Sequence, residues 1–277
     1  MANLLFKITF FFFLPLVTFC QHTFPDSLRQ ELLKAKNDSA RFDITRQLYT
    51  YFEETNRDSA VHYSDIRLAI ATRNNREIEK AYVLGQKGYQ LAYVGKFGES
   101  LACLQEAFQI AGDPENEATQ TWVLTAFPAP GKSRLLTLSM INHMMGHLMM
   151  QTGNFDRQFY YLKEGRRIAL TIGNHFRIVV ADMVLASSYI TANKPDSALY
   201  FVQEAERYAD EGRIHKYLGY IYFVTGDVYL KKGNRNQARQ YYLQALKSSM
   251  EQNNQSNVVG SYVRLIHYYR EEGKADS

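Results

Sequence analysis

The sequence repeats itself, and that repeat leaves little freedom of fold. Residues 222–246 set a template of six slots, held by Gly226, Tyr229, Gly233, Ala238, Tyr242 and Ala245. Forty residues upstream the slots hold Ala186, Tyr189, Asn193, Ala198, Val202 and Ala205. A further 40 back they hold Gly146, Met149, Gly153, Gln158, Leu162 and Gly165. An earlier copy has Gly88, Leu91, Gly95, Ser100, Leu104 and Ala107, and a weaker one Leu48, Tyr51, Thr55, Ala60, Ser64 and Arg67. Ile266, Tyr269 and Gly273 fill the first three slots of a sixth copy, whose fourth slot would be residue 278. The period of 40 is interrupted once, between Gly88 and Gly146, by an insertion within 110–134. A unit of this size cannot bury its apolar face alone, so neighbours must stack.

Each copy reads as helix, turn, helix. Gly or Asn in the third slot (Gly95, Gly153, Asn193, Gly233, Gly273) is expected to end the first helix, because that cap needs a positive φ. Small residues in the first and fourth slots let two helices approach closely. Pairs such as Tyr229 with Leu230 and Tyr189 with Ile190 fill the space between them. Gln158 and Arg67 stand where small residues belong, which predicts irregular packing of those copies. Only 6 Pro and few alternating β-branched runs argue against a sheet. The expected fold is all-α: a right-handed superhelical solenoid of antiparallel helix pairs over 21–277, five repeats plus the first helix of a sixth.

This spacing resembles the tetratricopeptide repeat family. The resemblance covers roughly 26–277 and is best over 219–252, where Tyr222, Gly226, Tyr229, Gly233, Ala238, Tyr242 and Ala245 fall at the family's spacing. The family's own period is shorter than the one found here, about 34 residues. Six more per repeat imply helices longer by about 9 Å in total. The resemblance implies that the first helix of each pair lines a concave groove. It places there Phe42, Tyr49 and Phe52; Tyr82, Tyr89 and Tyr93; Met140, His143, His147 and Met150; Met183 and Ser187; Tyr220, Phe223 and Asp227; and His267. Such an aromatic stripe suits peptide recognition, since Tyr offers apolar area and a hydroxyl at low entropic cost. Relatives that grip a peptide carboxylate use Lys, Arg and Asn in these slots. Those residues are nearly absent from them here, so no carboxylate clamp is expected.

The amino terminus stands apart. Lys7 precedes the apolar run Ile8–Phe19, too short to span a bilayer and broken by Pro15. Residues 1–20 therefore read as a secretory signal peptide, and the protein as exported, periplasmic or extracytoplasmic. Phe19 sits where a lipoprotein signal wants a small residue, which argues against a lipid anchor at Cys20. After cleavage Cys103 is the one thiol left. It is expected as a small buried hydrophobe in a second helix.

No catalytic arrangement is legible. "AFPAPGKS" (126–133) ends like a phosphate loop but has Ala126 where Gly belongs, and two prolines that remove N–H donors. His143 and His147 are four apart on one helix face, with Met140 and Met150 extending the stripe, a set that suits copper(I) or zinc. Met144 occupies the position that Glu takes in zinc hydrolases, and no third ligand can be named. Net charge is +4 with both signs dispersed, which gives no reason to expect nucleic acid.

The leading expectation is a non-catalytic, cofactor-free scaffold that binds a protein or peptide, without a membrane span; a homodimer is compatible with it. An alternative follows from the last helix. Val258, Val259, Tyr262, Leu265, Ile266 and Tyr269 make it apolar around much of its circumference, as if to receive a helix beginning at 278. Exported arrays of this kind resemble the extracytoplasmic sensor regions of bacterial histidine kinases and related helix-turn-helix regulators. A metal-handling protein is the minor alternative.

Overall fold

The computed structural model describes residues 24–118 and 132–275. Among these there are twelve α-helices and no strand. A short lead helix, α1 (Phe24–Lys34), packs on α2. Five antiparallel pairs follow: α2 (Asp38–Phe52) with α3 (Arg57–Arg73), α4 (Glu77–Tyr93) with α5 (Phe97–Gly112), α6 (Lys132–Gln151) with α7 (Phe155–Ile172), α8 (His175–Thr191) with α9 (Pro195–Glu211), and α10 (Leu218–Lys231) with α11 (Arg235–Glu251). The last helix, α12 (Gln255–Ala275), packs on α11 and α10. The result is a solenoid of helix pairs. No described helix is long and apolar enough to cross a membrane.

The turns repeat at half the expected period. Gly153, Gly173, Asn193, Arg213, Gly233 and Asn253 all have positive φ and are evenly spaced along the chain, with Asn75 and Gly95 as their counterparts upstream of the insertion. Every second member joins one repeat to the next. Half of these positions carry Asn or Arg, so the glycine pattern hides them. The backbone leaves a helix through the left-handed region at each, which is cheapest for Gly and tolerated by Asn. Gly273 departs from expectation: it lies inside α12 and caps nothing.

Within a pair, the first-slot residue sets how closely the two helices approach. A Cβ on Gly88 would stand 2.8 Å from Leu104 Cγ, and one on Gly146 2.8 Å from Leu162 Cγ. On Gly226 it would enter the ring of Tyr242, which is 1% exposed. In the first pair the sizes are exchanged: Leu48 stands in the first slot and faces a repeat whose fifth slot is Ser64, both fully buried. One large and one small residue are thus interlocked at each level, and interiors packed this tightly admit no added methyl.

The two polar intruders are built in. Arg67 is fully buried and donates from Nη1 to Gln86 Oε1 at 2.6 Å, with its guanidinium over the rings of Phe42, Tyr49 and Tyr82. Gln158 donates to Ser188 Oγ at 2.8 Å across α7 and α8. Further polar links join successive pairs. Arg166 on α7 holds Asp182 on α8 and Glu204 on α9. Asp227 on α10 accepts from Tyr242 of α11 at 2.8 Å and from Arg264 of α12 at 2.9 Å. Cys103 is half-buried rather than buried, and burial raises its thiol pKa.

The flanks of the insertion are tied down. A 3₁₀ turn, Pro114–Ala118, follows α5, and Arg134 of α6 donates to Ala111 O at 3.0 Å and pairs with Glu117. Trp122, Phe127, Pro128 and Pro130 lie outside the described residues, as do the reading of 1–20 as a signal peptide, Cys20 and most of the phosphate-loop-like stretch.

The interlock predicts a contrast between glycines. Gly226→Val should lower the midpoint of urea unfolding by the equivalent of about 1–3 kcal/mol, because the Tyr242 ring has nowhere to go. Gly98→Ala, in α5 with open space around it, should be neutral or stabilising by up to about 1 kcal/mol. Equal effects of the two would mean that the close approach is not what holds the pairs.

Candidate functional site

The first helices α4, α6, α8 and α10 share one concave side, and a groove runs along it in two joined compartments. The larger, about 530 Å³, is lined by Tyr89, His143, Val180, Met183, Val184, Lys216, Tyr217 and Tyr220, together with Glu54, Asn254 and Asn257. The smaller, about 290 Å³, is lined by Tyr89, Tyr93, His143, His147, Met150, Phe155, Ser187 and Tyr220, among others. Four residues are common to both: Tyr89, His143, Val184 and Tyr220. Residue 54 lies just past the end of α2, and 254 and 257 flank the start of α12. The solenoid has therefore curled far enough for its two ends to border one cavity.

The smaller compartment is an aromatic cluster. His147 stacks on Tyr93 at 4.4 Å between centroids and tilts against Tyr89 at 4.8 Å. The hydroxyls of Tyr89 and Tyr93 lie 3.1 Å apart, sharing one hydrogen bond. Arg57 of α3 lies over Tyr93, 4.0 Å from its centroid, and donates to Gln90 Oε1 at 2.6 Å. Gln90 in turn donates to Tyr49 Oη at 2.9 Å. That chain fixes the Tyr93 ring from behind through α3, α4 and α2.

Both imidazoles are neutral at physiological pH. Burial, with the charge of Arg177 adding to it, pushes the His143 pKa down to about 3; burial and Arg57 push that of His147 down to about 4. The Nδ1 of each ring is buried without a hydrogen-bond partner. For His143 an unfilled acceptor there is less costly than an unpaired N–H, which places the proton on Nε2; His147 Nε2 lies 3.4 Å from the Gln151 amide nitrogen, a donor. Metal ligation through His143 Nε2 would force that proton onto the partnerless Nδ1. Among the described residues no group of three or more His, Cys, Asp or Glu converges.

Of the residues placed on the concave side by register, Tyr89, Tyr93, His143, His147, Met150, Met183, Ser187 and Tyr220 line the groove. Others belong to the core instead: Phe42 is 0% exposed, Tyr49 1%, Met140 7% and Phe223 7%. Adjacent first helices close over them. Phe52 stacks on Tyr63, and Tyr82 packs beside Arg67. Asp227 is committed to Tyr242 and Arg264, and His267 is exposed beside Glu271. The structure adds residues that register did not point to. Arg57 comes from a second helix, Lys216 and Tyr217 from a 3₁₀ turn (His215–Tyr217), and Asn254 and Asn257 from the turn before α12 and its start.

Residues 26–114 match a family profile described as the SusR N-terminal TPR domain. That stretch is a tetratricopeptide-repeat domain. Similar solved structures include aspartyl phosphate phosphatase F from Bacillus subtilis, at 12% identity and TM-score 0.64 over 87% of this chain. The match spans 58% of that phosphatase's length. BtubC from P. vanneervenii is similar at 14% identity and TM-score 0.62, over 79% of this chain and 85% of its own. A Rap protein complexed with competence and sporulation factor is similar at 13% identity and TM-score 0.57, over 90% and 70%. Identities this low establish the shared tetratricopeptide-type fold. None of the curated proteins matches the chain.

The depressed imidazoles give the fold a signed pH dependence. In the unfolded chain each His takes a proton near pH 6.5; in the fold it does so only near pH 3–4. The unfolded state therefore binds more protons between these limits, so stability falls as pH drops through that window. His143→Gln with His147→Gln should flatten the fall in thermal midpoint between pH 6.5 and 4. An unchanged slope would mean that the rings titrate freely.

Proposed function

We propose that this tetratricopeptide-repeat chain is a non-catalytic scaffold that holds a peptide or an extended protein segment in its concave groove. One observation carries the reading: two joined compartments are lined by rings from three of the repeats, Tyr89 and Tyr93, His143 and His147, and Tyr220, and bordered by residues from both ends of the solenoid. Rings held by neighbours lose little entropy on binding and bury much area. The Rap structure complexed with competence and sporulation factor supplies a precedent for ligand binding on this fold.

A second reading concerns what the scaffold serves. The matching profile is that of an N-terminal TPR domain, and α12 leaves Val259, Tyr262, Val263, Ile266 and Tyr269 largely exposed. Tyr262, Ile266 and Tyr269 are the register equivalents of Tyr222, Gly226 and Tyr229 on α10. Both features favour an input region for a signalling protein, exported by residues 1–20, with a further helix or domain against α12.

Photo-crosslinking tests the groove in the cells that make the protein. A benzophenone amino acid at position 220 should form a discrete adduct, and one at Tyr160 on the outer surface, 65% exposed, should not. Tyr89→Ala with Tyr93→Ala should abolish the adduct without loss of helicity. Adducts of equal yield at both positions would remove the groove from the account. Fractionation of the same cells tests export: an extracytoplasmic product shortened by the length of the signal peptide is expected, and a full-length cytoplasmic one contradicts it.

A further inference from the structure

The inner side of α12 packs on α10 and α11, where Leu265 and Tyr268 are buried. Its outer side carries Val259, Tyr262, Val263, Ile266 and Tyr269, each between 45% and 60% exposed. Arg270 and Gly273 continue the same stripe and are exposed too. A shallow cleft there is lined by Tyr262, Leu265, Ile266, Tyr269 and Arg270. Gly273 has no role inside the fold: its φ is not positive, and nothing lies within 4 Å of where a Cβ would stand. Glycine weakens a helix interior, so its place in this stripe calls for a reason outside the fold.

The stripe is symmetric about Ile266. Val263 and Tyr269 lie three residues from it on either side, Tyr262 and Arg270 four, and Val259 and Gly273 seven. At 3.6 residues per turn these positions share one face of the helix. Two copies of α12 laid antiparallel on a two-fold axis through Ile266 therefore pair them in order. Ile266 meets its own counterpart, Val263 meets Tyr269, Tyr262 meets Arg270 and Val259 meets Gly273. A guanidinium over an aromatic face is a favourable contact. Gly273 leaves room for the opposing side chain, as Gly226 leaves room for Tyr242. A parallel pairing would instead set Arg270 against itself, and like charges repel. A surface complementary to itself is what a two-fold interface requires. We infer that the outer face of α12 joins two copies of this chain, antiparallel, on an axis at Ile266. Half of an aromatic side chain is roughly 100 Å², so the five apolar residues offer roughly 500 Å² per chain, against roughly 800 Å² in a standard interface. The dimer is accordingly weak, with a dissociation constant of roughly 10–100 micromolar. A second copy is the helix that the signalling reading sets against α12, and the inference is independent of the groove.

The test uses the full chain with Cys20→Ser and Cys103→Ser. Sedimentation velocity should show a monomer at about 1 micromolar and mostly dimer above about 100 micromolar. Ile266→Asp should stay monomeric throughout, with its far-ultraviolet dichroism intact; should it lose helicity, Val263→Asp, at a position 56% exposed, should do the same. A short bis-maleimide should join Ile266→Cys to itself but not Tyr262→Cys, whereas Tyr262→Cys mixed with Arg270→Cys should be joined. A monomer at every concentration, or a dimer that persists in both Asp variants, would overturn the contact and leave the groove standing. Self-joining at Tyr262→Cys as readily as at Ile266→Cys would overturn the antiparallel pairing.

Discussion

The interlock of one small and one large side chain at each level of the solenoid is the constraint from which the rest follows. Where Gly88, Gly146 and Gly226 stand, the partner helix sits too close for a methyl group, and Leu104, Leu162 and Tyr242 fill the space so released. That contact fixes the separation within each pair. Left-handed turns at every half-period fix the reversal of direction. With both set, the packing of one pair on the next is decided by what the first helices carry on their outer flanks. There the chain uses buried polar links, Arg67 to Gln86, Gln158 to Ser188, and Arg166 to Asp182 and Glu204. Links of this kind favour one arrangement, because sliding one pair along the next would break them inside the core. The repeats are therefore stacked in a defined register, and the curl that brings residues 54 and 257 to one cavity is a consequence of it.

The groove inherits its chemistry from that arrangement. The first helices face inward, so their rings line the concave side, and the same burial that packs them excludes charge from His143 and His147. Cations come from elsewhere: Arg57 from a second helix, behind Tyr93, and Lys216 from a connecting turn. Arg57 is absorbed by Gln90 and the face of Tyr93, and Lys216 lies against the faces of Phe176 and Tyr217. The outcome is an aromatic trough with Lys216 and Glu54 on its wall.

Fold and site were legible to different degrees, for physical reasons. The repeat period shows in the sequence because close helix contact admits only small residues, and Gly and Ala at fixed spacing are conspicuous. The turns between repeats escaped notice because Asn75, Arg213 and Asn253 adopt the left-handed conformation without being glycine. Gly273 misled for the converse reason, since a glycine in a helix interior looks like a cap. Register identified the inward face of each first helix and so found Tyr89, Tyr93, His143, His147 and Tyr220. It could not find depth: Phe42, Tyr49 and Phe223 lie on the same face, but neighbouring helices cover them. Depth depends on curvature, which no local pattern encodes. Lys216 and Tyr217 escaped for a related reason, as they lie in a connecting turn outside the helical slots.

The central claim, that the stacked pairs curl into one defined groove, is tested most directly by the distance between its two rims. Spin labels at Glu54→Cys and Asn257→Cys, in a Cys103→Ser background, would report it by double electron–electron resonance. The account predicts a single narrow distribution at short separation in the absence of any ligand. A broad or long-distance distribution would mean that the ends do not meet over one cavity, and the groove described here would not exist as a preformed site.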